Sequence, residues 1–190
     1  MYEELLGEVG FYRLLLRIDE DLAARARVLG CWRCGKALHV AHFTRKPRGV
    51  PAGLGEHYNE RFSFCCAGRQ CRKRRTCPSL RFLSRKVYLA AVVVLVSALR
   101  NGATPRRVRY LQELVGVSQR TILRWRMWWL GVFIQTPFWR AAAGTLLPPV
   151  ERTQLPTSLL ERFTGSPNER LLALLRYLAP ISSDPANGSG

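Results

Sequence analysis

The densest chemistry in this chain belongs to its six cysteines, all of which fall between residues 31 and 77. Cys31 and Cys34 open the segment, with Gly35 just behind them; Cys65, Cys66, Cys71 and Cys77 close it. A closed tetrahedral zinc site is built by two tight turns that each supply two soft ligands, and cysteine pairs at this spacing suit it. Cys31 and Cys34 make the first pair, at Cys-x2-Cys. Cys66 and Cys71, at Cys-x4-Cys, are expected to make the second. Phe62, Phe64 and Cys66 alternate along an expected strand and so share one face, which puts an aromatic on the metal side. Cys65 points the other way and becomes a ligand only if the register slips by one. Cys77, ahead of Pro78, lies outside the second turn and is expected as a small buried residue or a free thiol. His39, His42 and His57 are alternative ligands, but His39 and His42 sit in a run, Lys36 to Phe43, that reads as a strand, and polar strand positions are the expectation for them.

Disulfides are the competing use for these cysteines. The opening Met1-Tyr2-Glu3-Glu4-Leu5-Leu6 lacks the basic region, apolar core and cleavage site of a secretory leader. At 190 residues the chain is also long enough to build a core without covalent staples. Zinc is therefore the expected cofactor, in a cytoplasmic, nucleoid-associated bacterial protein.

The formal net charge is +17, from 30 lysines and arginines against 13 acids. A balance this basic points to a polyanionic partner. Residues 45 to 86 hold Arg45, Lys46, Arg48, Arg61, Arg69, Arg72, Lys73, Arg74, Arg75, Arg81, Arg85 and Lys86 against only Glu56 and Glu60, so the cysteine segment is also the charge centre. Between the cysteine pairs, Thr44 to Gly55 reads as a basic loop rich in Gly and Pro, with Arg45, Lys46 and Arg48 able to follow a phosphate backbone. Arg72, Lys73, Arg74 and Arg75 are expected to do the same from the second turn.

The elements that must carry these groups are mostly helical. Leu14 to Leu16 suggest a short helix, and Asp19 to Gly30 a better-marked one, with Asp19 as N-cap, arginines late and Gly30 as a left-handed stop. From Val87 to Leu99 there is no charge, but thirteen residues fall short of the roughly twenty that span a bilayer. A buried core helix, led in by Ser84 to Lys86 and stopped at Asn101-Gly102, is expected.

Thr104-Pro105 then caps a helix through Leu114, Val115-Gly116-Val117 makes a tight turn, and Ser118 caps a second helix through Trp129. This is the pattern of a helix-turn-helix, with Leu111, Val115, Val117, Ile122 and Trp125 at the packing positions. Gln112 departs from it, standing where the first helix usually has a small residue. Ser118, Gln119, Arg120 and Arg124 would face a major groove, with Arg106 and Arg107 on phosphates from the first helix. The aromatic run Trp125, Trp128, Trp129, Phe133, Phe138 and Trp139 could stack bases, but its spacing, on to Val132 and Phe133, fits a helix face packed under the second helix.

Residues 147 to 156 read as a proline-rich linker. Helices are expected over 157–163 and 167–178, the latter with Leu171, Leu174, Leu175 and Leu178 as a stripe suited to a core or to another protein. From Ser182 onward a polar, disordered tail is expected. The three aspartates, Asp19, Asp21 and Asp184, do not form the carboxylate cluster that metal-dependent strand transfer needs. Neither a Gly-rich phosphate loop nor a paired nucleophile stands out, so a protein without enzymatic activity is expected.

Taken in order, Cys31-x2-Cys34-Gly35, then Arg61-Phe62-x-Phe64-x-Cys66-x4-Cys71-Arg72-x-Arg74-x-Thr76, an apolar helix, and Gly116-Val117-Ser118-x-x-Thr121-x-x-Arg124-Trp125 form a motif series. Over residues 30 to 130 it resembles the N-terminal DNA-binding region of bacterial insertion-sequence transposases, where a zinc ribbon precedes a helix-turn-helix. In that family a catalytic domain with an acidic triad follows, and no such triad occurs here. The resemblance implies recognition of double-stranded DNA without chemistry, by an accessory or regulator of a mobile element that could partner a transposase or recombinase. An RNA-binding role is the alternative, and no membrane association is expected. The expected fold is mainly α with a small β zinc ribbon, followed by a helical helix-turn-helix bundle. Its segments are 1–30 helical, 31–82 ribbon and basic loop, 83–145 helix-turn-helix, 146–180 C-terminal helices and 181–190 tail.

Overall fold

The computed structural model describes residues 2–83, 88–100 and 104–183, without the side chains of Arg100, Arg107, Val108 and Leu111. The lead-in at Ser84 to Lys86, the stop at Asn101-Gly102, the packing of Leu111, the phosphate role of Arg107 and the tail beyond Ser183 lie outside the described residues.

The chain is mainly helical, with small antiparallel sheets at the four-cysteine segment. Helix α1 runs unbroken over Val9–Leu29. Asp19 is therefore not an N-cap: it is fully buried nearly three turns inside the helix. Phe11, Tyr12, Leu15, Asp19, Ala23 and Ala26 form the buried face. Their spacing is helical once the carboxylate is counted with the apolar side chains.

The expected strand from Lys36 to Phe43 is two strands in two sheets. β1 (Leu38–Val40) pairs with β4 (Ser63–Cys66), which pairs in turn with β5 (Arg74–Thr76); β2 (Phe43–Thr44) pairs separately with β3 (Glu60–Arg61). The break falls at Ala41-His42, where the Ala41 N–H donates to the Ser63 carbonyl and His42 Nδ1 lies 3.1 Å from the Ser63 amide nitrogen. A short 3-10 turn at Glu56–Asn59 closes the basic loop.

Helix α2 (Ala90–Arg100) is the hub of the helical body. Every residue from Leu89 to Val96 is essentially solvent-free, as expected of a helix apolar on all sides. Burying each of its valines and leucines contributes about 1.5–3 kcal/mol before the entropy of ordering is charged against it. Around α2 pack α3 (Pro105–Val115), α4 (Gln119–Met127), α6 (Thr157–Leu160) and α7 (Pro167–Leu178). The α7 stripe of Leu171, Leu174, Leu175 and Leu178 is wholly buried in this core. Ser166 and Glu169 make a reciprocal capping box at its start.

After α4 the backbone takes a turn of π-helix, Trp128–Val132, followed by a 3-10 turn. The wider turn shifts the buried phase by one position. Trp125, Trp129 and Phe133 line up in the core, whereas Val132, expected on that face, is 59% exposed. The aromatic run is core, and α5 (Pro137–Ala142) adds Trp139 to it. The stretch expected as a linker folds back as well: Leu155 is buried, and Ser158 Oγ donates to the Glu151 carbonyl at 2.6 Å. Among the described residues, no helix is long and apolar enough to cross a membrane.

Candidate metal centre and basic surface

Helix α1 delivers the chain into the first cysteine turn through Gly30. Its φ is +71°, and a Cβ there would come within 2.9 Å of the Gly35 carbonyl oxygen, so only glycine fits. The turn closes by Cys31 N–H to Lys36 O at 2.9 Å and Gly35 N–H to Cys31 O at 2.8 Å. The second turn leaves β4 at Cys66. Cys71 and Arg72 both donate backbone N–H groups to Gly68 O at 3.0 Å, and the Gly68 N–H donates to Cys66 Sγ at 3.3 Å.

These turns bring Cys31, Cys34, Cys66 and Cys71 together, with all four sulfurs within 4.8 Å of one another. Cys31 and Cys71 Sγ are 3.7 Å apart, Cys34 and Cys66 Sγ 3.4 Å. A tetrahedron with Zn–S bonds of about 2.3 Å has edges of about 3.8 Å, so the sulfurs are already spaced for a metal. Four thiolates are a donor set that fits Zn2+. Among the described residues this is the one cluster of three or more Cys, His or acidic groups that could hold an ion.

The sulfurs are not equivalent. Burial raises the Cys31 thiol, but backbone hydrogen bonds from Arg33 and Cys34, joined by the Cys66 and Cys71 sulfurs, outweigh it and bring it down to about 7. At Cys66 the Gly68 N–H favours the thiolate, yet burial and the three other sulfurs push the group up to about 12. Neighbouring thiolates repel one another until a cation is shared among them. Cys31 and Cys66 are buried and Cys34 is exposed, so the centre opens to solvent on the Cys34 side.

The choice of Cys66 over Cys65 follows the strand register: Cys65 is opposite His39 and its Sγ lies 3.6 Å from the Arg72 carbonyl, outside the cluster. Phe62, Phe64, Leu38 and Cys77 pack behind the ligands on Ala23 and Ala26 of α1. Cys77 is fully buried, and its thiol is pushed up by desolvation. No histidine joins the sulfurs: His39 is exposed on β1, His42 rests on Phe62 and Phe64, and His57 lies between Glu20 and Glu60 at 2.9 and 3.2 Å.

The basic residues divide into those used by the fold and those free of it. Arg61 and Arg81, counted in the charge centre from sequence, are buried. Arg81 Nε donates to Asp19 at 2.8 Å, and the rest of its guanidinium serves the Tyr58 and Glu60 carbonyls. Asp19 also accepts from the Ser79 hydroxyl and from the Leu80 N–H at 2.6 Å. Arg61 donates to the Ser182 carbonyl at 2.7 Å, and Ser182 Oγ accepts the Ser79 N–H, so Ser182 is anchored rather than part of a loose tail. Sequence reasoning missed this polar network; the only trace of it was a carboxylate at a core-face position of α1.

Other cations are partly occupied. Arg45 is half-buried over the Phe82 ring, Arg74 bonds Ser63 Oγ and Ala41 O at 3.0 Å, and Arg75 bonds Gly30 O at 3.2 Å. Lys46, Arg48, Arg72 and Lys73 are exposed, although the Arg48 backbone is held by Leu89 N–H.

In the helix pair, Gly116 turns at φ +61° and the Ser118 hydroxyl accepts the Thr121 N–H at 3.3 Å. Val117, Ile122 and Trp125 are buried, Val115 and Gln112 half-buried. Arg106, Ser118, Gln119, Arg120 and Arg124 are exposed, with Arg124 donating to Thr121 Oγ1 at 3.0 Å. No known protein family, curated protein or solved structure matches this chain.

Proposed function

We propose that this chain is a non-catalytic, zinc-dependent protein that binds double-stranded DNA, in an accessory or regulatory role for a mobile element. The observation that carries the reading is the exposed N-terminal face of α4: Ser118, Gln119, Arg120 and Arg124 are exposed while Ile122 and Trp125 anchor the other face in the core. A helix held this way can present its first turns to a major groove, where Arg and Gln match base edges. Zinc on Cys31, Cys34, Cys66 and Cys71 fixes a second set of cations, Arg72 and Lys73, for phosphates. The order of ribbon, apolar helix and helix pair is that of the transposase N-terminal region named above, which supports the mobile-element setting.

The test is a competition on metal-quantified protein, with labelled duplex against single-stranded DNA and structured RNA. Duplex preference should be lost on chelation. Arg120→Ala should relax sequence preference, costing about 1–3 kcal/mol at one position, while Lys73→Ala weakens all duplexes alike. Equal effects of the two substitutions on selected and random duplexes would count against the assignment, and a preference for RNA would replace it.

A further inference from the structure

We infer that the cleft between the two cysteine turns is a phosphodiester-binding site formed by Arg33, Lys36 and Arg69. The inference rests on the nucleic-acid reading above and names residues outside the interface that reading uses.

The cleft has a volume of about 670 Å3 and runs from Arg33, Cys34 and Lys36 on the first turn to Gly68, Arg69 and Cys71 on the second. Among the described residues, no carboxylate lines it. All three cations are exposed, and among the described residues none of their side chains has a hydrogen bond, ion pair or ring contact, unlike Arg74, Arg75 and Arg81 nearby. Lys36 is nonetheless positioned: its Cδ would lie 3.1 Å from a Cβ at Gly68, so its stem crosses the second turn. The absence of a side chain at buried Gly68 keeps the floor of the cleft open to it.

Charge decides what fits. Four thiolates on one Zn2+ carry a net charge of −2, and the three cations carry +3, leaving the cleft one positive charge in excess. A phosphodiester supplies one negative charge and oxygens that guanidinium groups hold in bidentate fashion. The rival use of these cations is to offset the thiolates alone, and it makes a different prediction.

The experiment measures the salt dependence of duplex affinity for the wild type, R33Q/K36Q/R69Q and R69K, with zinc content determined for each. Each phosphate neutralised contributes roughly 0.9 to the slope of log K against log salt. The triple variant should retain zinc and lose roughly 0.9 from the slope, for one phosphate. R69K, which keeps the charge, should keep the wild-type slope. An unchanged slope in a zinc-loaded triple variant overturns the inference. So does loss of zinc from the triple variant, because the cations then serve the metal centre. If the wild type prefers RNA and the triple variant lowers that slope, the cleft stands while the duplex reading falls. A wild type that binds neither polymer overturns both.

Discussion

Behind the four clustered sulfurs the apolar cluster consists of Ala23 and Ala26 of α1 with Leu38, Phe62, Phe64, Cys31, Cys66 and Cys77, in a segment whose strands are only two to four residues long. Around α2, the helical body buries valines, leucines, tryptophans and tyrosines drawn from the start of α1, from Tyr58 and from the described chain between Leu80 and Ala179. Burial at a few kcal/mol per large side chain can hold the second region. It cannot hold the first, where most of the buried members are small and the sheet is too short to stand alone. A metal on the four sulfurs is the expected hold on the first region, and the second has its own core. One helix joins them: the first half of α1 contributes Phe11, Tyr12 and Leu15 to the body, and the second half contributes Ala23 and Ala26 to the ribbon. Asp19 sits between the two halves.

Metal removal should separate the regions most sharply. Structural zinc contributes on the order of 10–16 kcal/mol of apparent binding energy in small zinc domains, far more than the ribbon's apolar cluster offers. Chelation, or Cys66→Ser, should abolish amide protection from hydrogen exchange in β1, β4 and β5 while α2, α4 and α7 keep theirs. The metal must also displace protons. In the assembled cluster the Cys66 thiol is pushed up to about 12, so an entering metal displaces its proton at neutral pH, and that of Cys31 as well below about 7. Zinc affinity should therefore fall as pH falls, and fall more steeply below about 7. A single cooperative loss of ribbon and body together on chelation would break the comparison.

The next effect in size lies at the junction. Asp19→Ala leaves the fully buried Arg81 guanidinium with the Tyr58 and Glu60 carbonyls and no counter-charge. Removing one partner of a buried ion pair costs about 3–5 kcal/mol. The urea midpoint should drop accordingly, and the double variant Asp19→Leu/Arg81→Met should recover much of the loss. If the double variant is as unstable as the single, packing of α1 and not the uncompensated charge is the cause.

How much of this was legible in the sequence follows from the kind of signal involved. The ligand pairs, the alternation through Phe62, Phe64 and Cys66, the cap at Ser118 and the stripe on α7 are local patterns, and the structure has each where the pattern puts it. Asp19 failed because a reading of carboxylates as caps and solvent groups has no place for one on a core face. Its partner Arg81 is 62 residues away, and long-range pairing leaves no periodic trace. For the same reason, net charge could locate the basic segment but could not separate Arg61 and Arg81, which are interior, from Arg69, Arg72 and Lys73, which are free. The break at His42 and the π-turn at Trp128–Val132 are decided by tertiary hydrogen bonds and packing, which override strand and helix periodicity.

The smallest expected effect tests the ribbon's backbone independently of its charge. Arg72 ends the second cysteine turn with φ +45°, the one positive φ at a residue other than glycine among those described. The left-handed region costs an L-residue roughly 1–2 kcal/mol, and glycine escapes that cost but gives back about 0.5–1 kcal/mol in unfolded-state entropy. Arg72→Gly should therefore hold zinc slightly better than the wild type, while Arg72→Ala keeps the strain and gains nothing. Both remove a free cation, so both should weaken duplex binding equally, by roughly 0.9 in salt slope if Arg72 meets one phosphate. Zinc competition titrations on the pair separate the two contributions. Equal zinc affinity in the glycine and alanine variants would mean that the turn relaxes freely, and the ribbon would then owe its shape to the metal alone.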